Sequence, residues 1–138
     1  MELEFVAANW YLFAAAAVIL FLLFGNSLMM AINGIKSVNA SEAVQLVNHQ
    51  NGVIVDVCEV AEHQKGHIPG AINIPLSKFA ARSGELEKHK AKPVVIVCRS
   101  GNRSSRAAIT LRKKGFESVY NLSGGVAAWQ RENLPMEK

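Results

Sequence analysis

The chain has 138 residues, half of them hydrophobic, with 15 Lys and Arg against 11 Asp and Glu for a formal charge of +4. That length supports one compact domain of ordinary size with a small appendage, and two cysteines are too few for a disulfide framework. Cys58 and Cys98 form no Cys-x-x-Cys pair and no metal-ligand spacing with His49, His63, His67 or His89, which argues against a zinc site.

The charge is unevenly spread. Glu2 and Glu4 are the only charged side chains before Lys36, so the remainder holds all the cations and has a clear positive excess. Such a domain suits anionic small substrates, acidic partners or a membrane surface, and the charge does not choose among them.

The first segment is apolar. Trp10 to Phe24, "WYLFAAAAVILFLLF", contains no charge, and the apolar zone runs from Phe5 to Ile32 with breaks only at Asn9 and at Gly25-Asn26-Ser27. A membrane span takes about 20 such residues, and Trp10 and Tyr11 suit the interface at one end. An acidic N-terminus with no small-x-small site after the apolar core does not read as a cleaved signal peptide. The expectation is an uncleaved single-pass anchor through residues 7–31. Lys36, the one cation near the span, puts the following domain in the cytoplasm. Residues 1–35 are thus expected to be anchor and short linker, and residues 36–138 the folded domain.

From Lys36 the pattern alternates. "NASEAVQLVNHQNG" predicts a helix opened by Asn39, with Glu42 as its capping-box partner and Gly52 at its close. Val53 to Val57 is a β-branched run and predicts a buried strand. Turn residues in "GHIPGAINIP" lead to a short strand from Ala71 to Ile74. Ser77 to Lys90 predicts short helices broken at Ser83-Gly84. "PVVIV" is a second buried strand, Ser104 to Lys114 a helix stopped by Gly115, "FESVYNL" a strand, and "VAAWQREN" a last helix. Strands alternating with helices imply an α/β domain with a mostly parallel sheet.

Ligands of open α/β sheets bind at the carboxyl ends of the strands, and Cys98 lies at such an end. The residues that follow, "RSGNRS", lead into a helix, so their backbone N–H groups can converge on the sulfur. Those donors, with Arg99 and Arg103 nearby, favour the thiolate. Arginines and a glycine loop are also poor material for a purely structural buried cysteine.

"CRSGNRS" resembles the active loop of the rhodanese (sulfurtransferase) family. "VDV…GHIPGAINIP" is similar to that family's first signature and "VYNLSGGVAAW" to its C-terminal one. The three blocks stand in family order across nearly all of residues 36 to 135, and with the apolar segment the chain resembles a bacterial membrane-anchored single-domain rhodanese. The resemblance implies a three-layer domain around a five-stranded, mostly parallel sheet. Phosphatases and arsenate reductases built on the same fold have a loop one residue longer, wide enough for a phosphate. Four residues separate Cys98 from Arg103 here, which resembles the sulfur-handling branch.

The activity implied is a two-step transfer without a cofactor or metal. Cys98 takes a sulfane sulfur from a small donor such as thiosulfate or a persulfide and passes it to a thiol acceptor, protein persulfides included. Amides of Arg99, Ser100, Gly101, Asn102, Arg103 and Ser104 would stabilise thiolate and persulfide. Arg103 would orient the loop and bind donor oxygens, and Arg99 would meet an anionic donor at the mouth. The place implied is the inner face of a bacterial cytoplasmic membrane. A noncatalytic alternative is a membrane-tethered docking or sulfur-carrier module of the same fold.

Asp56, at the end of the first buried strand, is expected to support the site by bonding loop amides or pairing with an arginine. Cys58 stands where relatives usually have Arg, which removes an expected ion pair with a nearby Glu. It becomes a candidate resolving thiol if the two buried strands are neighbours, although a small apolar replacement is the simpler reading. His67 reads as part of a turn and Trp129 as core. The run "RKKGF" is too short for a nucleic-acid surface.

Overall fold

The two β-branched runs that the sequence marks as buried strands lie side by side at the centre of the molecule. The computed structural model describes residues 2–138. In it β2 (Val53–Asp56) and β4 (Val94–Val97) run parallel, with Val53 opposite Val94 and Asp56 opposite Val97. β5 (Val119–Leu122) flanks β4, and β3, reduced to Ile72–Asn73, flanks β2. The fifth strand is β1 (Lys36–Val38), which pairs with β5 at the edge. The order is β1-β5-β4-β2-β3, with every pair parallel. Three residues reading Lys-Ser-Val make no apolar run, so β1 leaves no sequence signal.

A parallel sheet is covered on both faces, and the alternation of side chains along β4 shows it. Val94 and Ile96 face Phe79 of α5 (Leu76–Arg82) and Ala107, Ala108 and Leu111 of α6 (Asn102–Lys113). Val95 and Val97 belong to the opposite core, with Ala43 and Leu46 of α3 (Ala40–Gln50) and Trp129 of α7 (Gly125–Arg131). The result is three layers: helices, sheet, helices. α3 starts as predicted, for the Glu42 amide donates to Asn39 Oδ1 at 2.8 Å and the Asn39 amide to Glu42 Oε1 at 3.4 Å. A short helix, α4 (Val60–Lys65), fills the stretch between β2 and the Gly66 turn that sequence patterning left unassigned. It has no apolar stripe and no buried residue, which is why periodicity misses it.

Ahead of the sheet lie α1 (Glu2–Ala8) and α2 (Trp10–Ile32). α2 has 23 residues with a mean hydropathy of 2.2, long and apolar enough to cross a membrane, a property shared with signal sequences. Its large side chains from Trp10 to Phe24 are exposed. Its last turn and the residues just after it are not free. Met30 and Ile35 are buried in the core shared with α5 and α6, and Arg112 of α6 donates to the Asn33 carbonyl at 3.1 Å.

Candidate active site

Cys98 follows the last residue of β4, and its side chain is buried beneath the loop that leads into α6. Gly101 takes a φ of +104°, a left-handed value that glycine adopts freely. This turns its amide onto the Cys98 sulfur at 3.0 Å. The Ser104 hydroxyl lies 3.4 Å from the same sulfur. Burial alone would raise the pKa of this thiol. Hydrogen bonds from the Ser104 side chain and from the amides of Ser104, Gly101 and Ser100 outweigh it, so the Cys98 pKa falls below its ordinary value.

The loop is held from behind by β5 and α7. Asn121, a buried polar residue on β5, accepts a hydrogen bond from the Ser104 hydroxyl at 2.5 Å and directs its amide at the Gly101 carbonyl at 3.3 Å. The same amide lies 3.5 Å from the Met30 sulfur at the end of α2. On α7 the Val126 amide donates to the Cys98 carbonyl at 2.8 Å and the Ala127 amide to the Arg99 carbonyl at 3.2 Å. Gly125 makes that approach feasible: its φ is +60°, and a Cβ there would stand 2.2 Å from the Cys98 carbonyl oxygen. Sequence reading treats "SGG" only as a turn and passes over Asn121. An asparagine inside an otherwise apolar strand was the available signal.

The arginines divide. Arg103 points to α4, where it grips both carboxylate oxygens of Glu62 at 2.7 and 2.9 Å, and its guanidinium also lies 3.8 Å from the Cys58 sulfur. The hydrogen bond from Arg103 is the chief reason that the Glu62 pKa drops to about 2. Arg99 is exposed and reaches Glu62 only at 3.8 Å. Ser100 is likewise exposed, and Asn102 opens α6, its carbonyl accepting from the Ser105 hydroxyl at 2.7 Å. Glu62 escapes a sequence reading because its partner lies 41 residues away.

Asp56 accepts from the Cys58 amide at 3.0 Å and contacts His63 Nδ1 at 2.7 Å, so its second oxygen meets a histidine where an arginine was expected. His63 stacks on His67 with ring centroids 3.7 Å apart. Cys58 is buried and follows Val57, whose amide bonds the carbonyl of Val97 just before Cys98, so both thiols stand at the carboxyl end of adjacent central strands. Their acidities differ: burial, then the Asp56 carboxylate, pushes the Cys58 thiol up to about 12.

A family model described as "Rhodanese-like domain" matches residues 39–132, which include the whole cysteine loop. The chain belongs to the rhodanese family. It is 44% identical over 103 residues to the protein YibN of Escherichia coli, covering 74% of this chain and 72% of the relative. A sulfurtransferase of Allochromatium vinosum is 37% identical over 105 residues, 76% of this chain and 94% of the relative. The crystal structure of a rhodanese-related protein from Thermoplasma volcanium superposes with a TM-score of 0.67 at 29% identity, covering 74% of this chain and 97% of that one. Rhodanese membership and relatives of this kind support a sulfur-transfer role in general terms.

Proposed function

We propose that this rhodanese carries a sulfane sulfur on Cys98, taking it from a donor such as thiosulfate or a persulfide and handing it to a thiol acceptor, and that α2 anchors it at the cytoplasmic face of a bacterial inner membrane. One observation carries the reading: a buried thiol that receives the Gly101 amide at 3.0 Å and lies 3.4 Å from the Ser104 hydroxyl oxygen, surroundings that lower its pKa. With thiosulfate, the Cys98 thiolate attacks the outer sulfur, the S–S bond breaks, and sulfite leaves with the bonding pair. Cys98 then holds a persulfide. An acceptor thiolate attacks the terminal sulfur, takes it as a new persulfide, and returns the Cys98 thiolate.

The loop amides balance negative charge on either sulfur without rearrangement. Arg99, exposed at the mouth, meets an anionic donor, while Arg103 is tied to Glu62 and acts by fixing the first turn of α6. A resolving role for Cys58 needs its thiolate, which burial and Asp56 disfavour, so Cys98 alone is assigned the sulfur.

Intact mass of the full chain in detergent, after thiosulfate and removal of excess donor, tests this. A gain of one sulfur, about 32 Da, reversed by a thiol, kept in Cys58→Ser and lost in Cys98→Ser, is the expected result. No gain with thiosulfate or with a persulfide donor overturns it in favour of a tethered binding module.

A further inference from the structure

Between α2 and α6 runs a groove of about 530 Å³ whose two walls differ in chemistry. Phe21, Leu22 and Met29 of α2 make one wall; Asn102, Arg103 and Arg106 of α6 make the other. No carboxylate lines it among the described residues. Arg103 spends its charge on Glu62. Arg106 is exposed, and its guanidinium has no hydrogen-bond or ion-pair partner among the described residues.

The position of the groove along α2 fixes its depth if α2 spans a membrane. Met30 is buried in the domain, so lipid can surround α2 only ahead of that point. The Asn9 amide bonds the Phe5 carbonyl at 3.1 Å, which carries the helical pattern across the α1–α2 junction. The apolar stretch from Phe5 to Phe24 then measures ~30 Å at ~1.5 Å per residue, the thickness of the hydrocarbon layer. Gly25-Asn26-Ser27 falls at the headgroups, and Arg103 and Arg106 stand beside it. Arginine at that level is satisfied by phosphate, where deeper placement would be costly.

We propose that this groove holds an anionic phospholipid, its phosphate on Arg106 and Asn102 and an acyl chain along Phe21 and Leu22. The proposal rests on the anchor reading above and gives it a consequence. Asn102 and Arg103 belong to the rhodanese loop as well as to the groove, so the Cys98 site opens at the membrane surface.

The test uses the full chain in neutral detergent with equal amounts of phosphatidylglycerol and phosphatidylcholine of identical acyl chains, read by native mass spectrometry. Phosphatidylglycerol should be retained about fivefold over phosphatidylcholine for each arginine that meets it. Arg106→Gln should remove that share and Arg106→Lys keep it. Equal retention of the two lipids, or a preference untouched by Arg106→Gln, overturns the site. An alkaline wash of the chain reconstituted in vesicles separates the two readings. Chain that stays with the vesicles yet shows no lipid preference loses the lipid site alone, whereas chain released by alkali loses the anchor and the lipid site together.

Discussion

Ser104 shows how one side chain can set the chemistry of another. Its hydroxyl is shared between the Cys98 sulfur and the Asn121 carbonyl, and its hydrogen bond is the foremost influence lowering the Cys98 pKa against burial. Ser104→Ala should therefore raise that pKa, moving the pH midpoint of Cys98 alkylation by iodoacetamide upward. Sulfur uptake at neutral pH should fall about tenfold, the rate equivalent of one lost hydrogen bond to a charged group. Glu62 gives a second test. Its pKa of about 2 in the fold lies below its ordinary 4.5, so the stability it contributes is complete above pH ~4.5 and disappears as pH falls toward 2. Glu62→Gln should cost about 1 kcal/mol at pH 7, a value discounted for a partly exposed pair, and urea unfolding of variant and parent should converge near pH 2. The cysteine and its loop were legible in the sequence because their signal is local. Glu62 was not, since α4 meets α6 only through the fold.

At the scale of elements, the loop depends on a backbone approach that only glycine permits. Gly125 combines a φ of +60° with a Cβ position 2.2 Å from the Cys98 carbonyl oxygen. Gly125→Ala cannot relax into either constraint without moving α7 off the rhodanese loop. It should lower stability by about 3 kcal/mol and reduce sulfur uptake, measured by thermal unfolding and by the mass assay. Gly84→Ala is the control: a Cβ there meets open space and its φ is ordinary, so its effect should stay within about 0.5 kcal/mol. The same contrast explains which elements sequence patterning could find. α3 has its capping box and β2 and β4 their β-branched runs, all local signals. β1 is too short and polar to stand out, and β3 shrinks from the four residues expected to two because only Ile72 and Asn73 pair with β2.

For the molecule as a whole, the boundary between apolar segment and domain is the feature that patterning resolved least. α2 is apolar on all sides, so no stripe marks the face that packs against α6. A boundary drawn at residue 35 cuts through the core, because Met30 and Ile35 lie among the buried residues around Leu111 and Phe116. Two soluble fragments expose the difference. One begins at Ser27 and keeps both residues; the other begins at Lys36 and lacks them. Burying a side chain of this size is worth about 1.5–3 kcal/mol, and discounting for a compact unfolded chain leaves about 3 kcal/mol for the pair. The fragment from Lys36 should therefore unfold at lower urea, with an unfolding free energy smaller by about 3 kcal/mol. Without Met30 beside the Asn121 amide, the support behind Ser104 also loosens, so the Cys98 alkylation midpoint of that fragment should move to higher pH. Equal stability and equal midpoints would mean that the last turn of α2 merely rests on the domain. A difference in both would show that the end of the apolar helix and the rhodanese site form one mechanical unit, linked through the segment that holds Met30 and Ile35.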